Sequence, residues 1–97
     1  MTSRNKLLVL KRSTQFKRDL KKAMKQGKDI TLLEKVVTLL QQGAPLPPKY
    51  RDHFLGGHWC GYRECHLEPD WLLIYRINQK ELYLYLTRVG SHAALFR

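Results

Sequence analysis

The sequence has no apolar run that is long enough to cross a lipid bilayer. Its longest unbroken apolar stretch is Trp71 to Tyr75, whereas a membrane-spanning helix needs about 20 apolar residues. The stretch from Leu7 to Leu10 is too short for the core of a signal peptide, and it lacks a cleavage site. These absences argue against a membrane protein and a secreted protein, so we expect a cytoplasmic location.

Cysteine is also scarce, with two residues in the chain. Cys60 and Cys65 lie five positions apart in a predicted strand, so their side chains should point to opposite faces and cannot pair with each other. None of the four histidines has the His-x3-His spacing of a local zinc site, and no Cys-x2-Cys pair is present. The sequence therefore predicts no metal ion and no cofactor.

Acidic residues are outnumbered, since eight Asp and Glu stand against 18 Lys and Arg for a net charge of +10. Such an excess indicates a polyanionic partner: a nucleic acid, an acidic protein or an anionic membrane. Ten of the 18 basic residues precede Asp29, whereas all four histidines lie from His53 onward. Lys17, Lys21 and Lys22 are candidate phosphate-binding residues, although a basic helix face can equally be a solvated surface.

The hydrophobic pattern predicts one domain, residues 1–97, of the α+β class: two N-terminal helices packed on a mainly antiparallel four-stranded sheet. Ser13 or Thr14 can cap the first helix, and Thr31 with Glu34 has capping-box spacing for the second. Gly27 and Gly43 end the helices. The predicted strands are 6–11, 60–67, 71–77 and 81–89, and the third is apolar on both faces, which favours the centre of the sheet.

Several chemically active side chains should meet at one edge of that sheet. His66 ends one strand, Asp70 opens the next across a short turn, and Arg88 lies near the end of the following antiparallel strand. His92 comes just after it, and His53 lies in the proline- and glycine-rich loop that can cover the same edge. We expect these groups to share one solvent-accessible pocket.

Each of these residues also has a structural explanation when it is taken alone. A single histidine is more often structural than catalytic, Asp70 can cap a turn, and Arg88 can pair with Glu68 or Asp70. Trp71 and Phe96 can simply fill the core. The functional interpretation therefore depends on their convergence.

A pocket of this composition suits cleavage of RNA by its own 2′-hydroxyl. A general base removes the hydroxyl proton, an arginine stabilises the negative charge that develops on the phosphoryl oxygens, and a general acid protonates the departing 5′-oxygen. An aromatic ring, Trp71 or Phe96, can stack on a splayed base. A non-catalytic RNA- or ribosome-binding module and a membrane-surface peptide built on the first helix remain as alternatives.

Three segments carry a resemblance to a known family. The chain resembles the YafQ branch of the RelE superfamily of bacterial toxins in residues 50–53, in the His66-Leu67-Glu68-Pro69-Asp70-Trp71 box with the residues before it, and in residues 88–96. The resemblance implies a RelE-like, microbial-RNase-like fold and a ribosome-dependent endoribonuclease that cuts messenger RNA in the A site. Phe54 departs from the pattern, because a proline commonly follows the loop histidine there.

The resemblance also implies roles and partners. It places His53, His66, Asp70 and His92 at proton-transfer positions, Arg88 at the phosphate-stabilising position, and Trp71 and Phe96 along the active site. Among these, we interpret His92 as the acid, and Asp70 or His66 as the base. The implied partners are the 70S ribosome with its mRNA and a cognate acidic antitoxin that folds on binding. DNA would be reached only through the antitoxin complex, and no membrane is involved.

Overall fold

The computed structural model describes residues 7–96. The chain forms five strands and three helices in the order β1 (Val9–Arg12), α1 (Thr14–Lys25), α2 (Ile30–Gln41), β2 (His53–Phe54), β3 (Arg63–Glu68), β4 (Trp71–Asn78), β5 (Tyr83–Gly90) and α3 (His92–Leu95). Single 3-10 turns at Pro48–Tyr50 and Gly57–Trp59 flank β2.

The strands form one sheet in the order β1-β5-β4-β3-β2, in which β1 runs parallel to β5 and all other neighbours are antiparallel. The predicted α+β class and mainly antiparallel sheet are confirmed. The predicted strand number of four is wrong, because the loop histidine and Phe54 pair with Glu64 and Arg63 as a fifth, two-residue strand. Two residues between proline and glycine clusters are too short to show the alternation by which strands are recognised.

Strand β4 is buried on both faces, as its composition predicts. Trp71, Leu73 and Tyr75 belong to the core beneath α1 and α2, whereas Leu72 and Ile74 point to the opposite face. We call this opposite side of the sheet the outer face. Because alternate residues of a strand point to opposite sides, one apolar strand can hold a layer on each face.

Helix α1 packs on β5, and α2 lies near β3. Their buried side chains are Phe16 and Ala23 of α1 and Leu33, Val36, Val37 and Leu40 of α2. On the outer face, Leu95 of α3 joins Leu72 and Ile74, with Leu55, Trp59, Tyr62 and Phe96 packed around them. Among residues 7–96, no helix has the length and apolar composition needed to cross a membrane.

The ends of the helices resolve the capping alternatives. Ser13 is the N-cap of α1, and its hydroxyl accepts a hydrogen bond from Phe16 N. The capping box predicted at Thr31 and Glu34 is wrong, because Asp29 caps α2 and accepts from Thr31 N. Asp29 directly precedes the first residue of α2, so Thr31 lies inside the first turn and cannot be the cap.

Two predicted strand starts also shift. The first predicted strand begins at residue 6, which lies outside the described residues, and the observed β1 begins at Val9. The strand predicted from Cys60 begins at Arg63, because a 3-10 turn ends at Trp59 and Gly61 adopts a φ of 92°. Cys60 is therefore exposed outside the sheet, whereas Cys65 is buried within β3.

Ser13 joins α1 to β5, since its hydroxyl also donates to the Thr87 carbonyl at 2.8 Å. We expect Ser13→Ala to lower the free energy of unfolding by about 1–2 kcal/mol, because it removes an N-cap and this second hydrogen bond. Urea denaturation measures the loss. Thr14→Ala is the matched control and should leave stability nearly unchanged; an equal loss in both variants would contradict the assignment of the cap.

Candidate active site

The predicted catalytic residues lie around the end of the sheet where β3 ends, β4 begins and β5 ends. His66 pairs with Leu72, and Leu72 pairs with Gly90 on its other side, two residues before His92. Two interstrand spacings therefore separate His66 from Gly90, a backbone distance of about 10 Å. The sheet register thus places His66 close to the start of α3.

Two histidines flank one buried carboxylate on the outer face. Glu64 is 5% exposed, and its Oε1 lies 3.4 Å from His53 Nε2 and 3.5 Å from His66 Nε2. The rings of His53 and His66 are 6.4 Å apart, centroid to centroid. Glu64 reaches both because it lies two positions before His66 on β3 and opposite His53 on β2. A carboxylate in this position orients both imidazoles.

The backbone before His53 determines which of its nitrogens carries the proton. His53 Nδ1 lies 2.7 Å from the carbonyl oxygen of Arg51. Because a carbonyl can only accept, Nδ1 must carry a proton, and Nε2 is the ring nitrogen that faces the Glu64 carboxylate. Arg51 itself has a φ of 51°, and this left-handed residue turns the chain from the 3-10 turn into β2.

Asp52, the residue before His53, ties the loop to the sheet. Its carboxylate accepts hydrogen bonds from the Tyr75 hydroxyl and from Arg63, whose Nη2 lies at 2.8 Å. The hydrogen bond to Asp52 raises the pKa of Arg63, while burial and the Asp52 carboxylate raise the pKa of Tyr75. Both shifts keep their groups protonated and donating to Asp52. This network holds His53 in place although its loop has little regular structure.

Asp70 fixes the start of α3 on the other side of the site. Its Oδ1 accepts a hydrogen bond from the backbone N–H of His92 at 2.9 Å, and Ser91 caps the same short helix. The His92 side chain is exposed, and its ring lies 4.9 Å from that of Phe96, one turn later. Asp70 therefore positions His92 through the backbone, while its second oxygen remains available.

Arg88 points to α1 rather than to the histidines. A bulge at Thr87 shifts the register between β4 and β5, so that Leu86 and Val89 both lie on the helix-covered face. Strand β1 ends opposite Leu86, which leaves the next part of β5 as a free edge. Asp19 of α1 covers this edge by accepting from Arg88 Nε at 2.8 Å and from Val89 N at 3.1 Å.

Arg88 lines a cavity of about 540 Å³ between α1 and the sheet end, together with Asp70 and three cations from or just after α1. These cations are Arg18, Lys22 and Lys28. Burial by itself raises the pKa of Asp19, but hydrogen bonds from Arg88, Gln15 and the Val89 N–H outweigh it and hold that pKa below its usual value. Asp19 is therefore ionised at neutral pH and keeps the guanidinium in the cavity wall.

The structure brings the predicted residues to one end of the sheet but not into one pocket. His53 and His66 share Glu64 on the outer face, Asp70 and His92 are joined at α3, and Arg88 faces the cavity at the edge of β5. The prediction of a single shared pocket is therefore not met in this conformation. Asp70 connects two of these groups, because it also lines the cavity of Arg88.

Two aromatic candidates have different surroundings. Trp71 is 1% exposed and belongs to the core under the helices, so its ring cannot stack on a base in this conformation. This burial corrects the prediction that Trp71 holds a nucleotide; its position on the helix face of β4 follows from the strand alternation. Phe96 is partly exposed beside His92 and remains able to contact a ligand.

The three candidate phosphate-binding lysines of α1 also differ in their surroundings. Lys22 lines the cavity with Arg88, whereas Lys17 and Lys21 are exposed, one turn apart. Among residues 7–96, no group of three His, Cys, Asp or Glu side chains is arranged to hold a metal ion. Burial raises the pKa of the Cys65 thiol, so this cysteine is an inert core residue.

Comparison with known proteins connects this site to a family. Residues 8–97 match the family profile described as bacterial toxin of type II toxin-antitoxin system, YafQ. The mRNA interferase toxin YafQ of Escherichia coli K12 is 48% identical over 85 residues, which cover 87% of this chain and 90% of that protein.

This chain belongs to the YafQ family of bacterial toxins.

Solved structures of the family have the same fold. The YafQ-family chain superposes on the E. coli DinJ-YafQ toxin-antitoxin complex with a TM-score of 0.85 and 43% identity, covering 94% of this chain and 99% of the other. A metal-bound toxin from Helicobacter pylori gives a TM-score of 0.88 and 49% identity, covering 93% and 100%. The resemblance stated from the sequence is therefore confirmed.

Three carboxylates that hold the candidate residues of this YafQ-family chain were not predicted from its sequence. Asp19 binds Arg88, Asp52 secures the His53 loop, and Glu64 lies between His53 and His66. Glu64 carries a recognisable signal, because strand alternation places it on the same face as His66, two positions later. Asp19 carries none, since its partner lies 69 positions away in sequence.

We expect Asp19→Asn to destabilise the YafQ-family chain by about 2 kcal/mol at neutral pH, because it leaves Arg88 without its charged acceptor. The folded-state pKa of Asp19 is depressed, so this contribution is full above the unfolded pKa of about 4 and is lost as pH falls below it. Urea denaturation of both proteins at several pH values measures it. A destabilisation that stays constant down to pH 2.5 would contradict the ion pair.

Proposed function

We propose that this protein is an mRNA interferase, an endoribonuclease toxin that depends on the ribosome and cleaves messenger RNA in the ribosomal A site. The observation that carries the proposal is the arrangement of His53, His66 and His92 around one end of a strongly basic sheet. The name of the E. coli relative, mRNA interferase toxin, supports the same activity.

The proposed reaction is acid–base catalysed attack by the 2′-hydroxyl. His66 removes the hydroxyl proton, the 2′-oxygen bonds to the adjacent phosphorus, and the bond from phosphorus to the 5′-oxygen breaks. His92 gives its proton to that 5′-oxygen. The products are one strand with a 2′,3′-cyclic phosphate and one with a 5′-hydroxyl. Between the two candidate bases we propose His66, because the adjacent Glu64 carboxylate stabilises the imidazolium that forms when His66 takes the proton.

The remaining groups support this step. Glu64 lies beside the Nε2 atoms of His66 and His53 and orients both rings. Arg88 stabilises the phosphoryl oxygens from the cavity at the edge of β5, and Phe96 contacts a base beside His92. The backbone distance of about 10 Å from His66 to Gly90, two residues before His92, leaves room for one phosphodiester between His66 and His92.

The small size and positive charge of the protein support the proposed dependence on the ribosome. A 97-residue protein with a net charge of +10 has little area with which to orient a flexible strand, whereas ribosomal RNA offers a dense phosphate surface and an already extended codon. Lys17, Lys21 and Lys22 of α1 are the proposed contacts to those phosphates. As one toxin domain over residues 1–97, the protein would act in the cytoplasm, where translation takes place.

The proposed protein partner is a cognate antitoxin. The E. coli YafQ structure contains such a partner, DinJ. For this chain we propose an acidic antitoxin segment that folds as it binds the basic surface and blocks the active site. DNA would be contacted only through the complex of toxin and antitoxin.

We expect His92→Ala to slow messenger cleavage on ribosomes by about 100-fold or more, because it removes the general acid. Primer extension on a messenger in a translating extract measures the cleavage and its position, and co-sedimentation measures ribosome binding, which should persist.

His58→Ala is the matched control, since His58 is exposed and lies outside the site; it should cleave normally. Full cleavage by His92→Ala would overturn the role of His92. Salt-sensitive ribosome binding without any cleavage by the unaltered protein would instead establish a non-catalytic ribosome-binding module.

A further inference from the structure

A row of basic and aromatic side chains lies on the outer face, away from the histidines. Arg76 of β4 pairs with Tyr85 of β5, which in turn pairs with Lys11 of β1. Tyr62 precedes β3 and lies beside Arg76. We call Lys11, Tyr62, Arg76 and Tyr85 the tyrosine–arginine row. It crosses the sheet at right angles to the strands and covers about 14 Å over three interstrand spacings.

Cation–aromatic contacts link Arg76 to two tyrosines of the row and Lys11 to the neighbouring Tyr83. The guanidinium of Arg76 lies 4.3 Å from the ring centroid of Tyr85 and 5.8 Å from that of Tyr62. The ammonium of Lys11 lies 4.9 Å from the ring of Tyr83, which packs edge-on against Tyr85. Arg76 thus lies between the rings of Tyr62 and Tyr85. All three side chains are half-buried, so part of each remains accessible to a ligand.

The row has an excess of positive charge without acidic neighbours. It lines a shallow cavity of about 330 Å³ that contains Lys11, Arg12 and Arg76 but, as far as residues 7–96 form it, no carboxylate. None of the salt bridges within the described range involves these three cations. Arg63 and Arg88, in contrast, are each held by an aspartate. The cations of the row are thus free to bind an external anion.

We propose that the tyrosine–arginine row is a binding site for nucleotides of single-stranded RNA. Lys11, Arg12 and Arg76 bind phosphates, and bases stack on the partly exposed tyrosine rings. Alternating cations and aromatic rings on an open sheet are suited to this ligand, because bases have flat faces and phosphates repeat along the strand. An acidic protein segment would use the cations but not the rings.

The position of the row connects it to the cleavage site. Tyr62 lies two residues before Glu64, and Arg76 two residues after Ile74, which pairs with Glu64. The row therefore lies about 7 Å along the strands from the level of Glu64 and His53, and about 13 Å from the level of His66, on the same face as both histidines. If the proposed function holds, and this assignment rests on it, the row binds messenger nucleotides on the same face of the sheet as the cleaved bond.

Binding can be tested without cleavage by using a fluorescent single-stranded oligonucleotide with 2′-O-methyl riboses, which lacks the attacking hydroxyl. Fluorescence anisotropy with the full chain measures affinity over a range of salt concentrations. We expect Tyr85→Leu and Arg76→Gln each to weaken binding about five- to tenfold. Arg76→Gln should also reduce the salt slope, log K against log salt, by about 0.7, the value for one lost phosphate contact.

Two matched controls separate the row from general effects. Tyr85→Phe keeps the flat ring and should bind like the unaltered protein, and Lys35→Gln removes an equal charge from the exposed surface of α2 and should change affinity less than twofold. Thermal unfolding followed by circular dichroism verifies that each variant is folded.

Unchanged affinity in Tyr85→Leu and Arg76→Gln would overturn the RNA site, and it would do so even if the protein cleaves messengers normally. An equal loss of binding to poly-glutamate in Tyr85→Leu would also overturn it and indicate an acidic protein ligand. The binding test needs no catalysis, so a failure of the RNA-site proposal can be distinguished from a failure of the proposed cleavage activity.

Discussion

The structure depends on the burial of β4 on both of its faces. Trp71, Leu73 and Tyr75 hold the layer of α1 and α2, while Leu72 and Ile74 hold α3 on the outer face. Because the side chains of one strand alternate, a single apolar segment fixes both layers at the same height along the sheet. The turn that starts β4 and the helix that follows β5 are thereby brought together at one end of the molecule, which is where the candidate histidines lie.

Carboxylates then determine where the cations and imidazoles point. The chain has only eight acidic residues, and three of them, Asp19, Asp52 and Glu64, contact an arginine or histidine of the candidate site or its supporting loop. These contacts stabilise particular orientations rather than the fold as a whole. Among the described residues, Lys17 and Lys21 on the outside of α1 and Lys11 and Arg76 on the outer face have no such partner, and a polyanion can reach them.

Periodicity predicted α1 and α2, the three long strands and the central place of β4, because those signals extend over many residues, whereas the four-residue helix α3 was not predicted. Strand β2 was not predictable, since two residues carry no period and their pairing depends on Glu64 and Arg63 ten positions later. The direction of Arg88 was not predictable either. It follows from a bulge and from the end of β1, and both features arise only when distant strands pair.

By itself, the sequence determined the α+β class, the strong positive charge, the family and the set of residues capable of proton transfer, because composition, periodicity and motif are properties of the chain alone. Only the tertiary structure decided which of those residues meet. Trp71 is buried in the core, Asp19 hydrogen-bonds Arg88 at the edge of β5, and Glu64 lies between His53 and His66. The physical reason is that these contacts link residues on different elements, and their geometry exists only after the strands are in register.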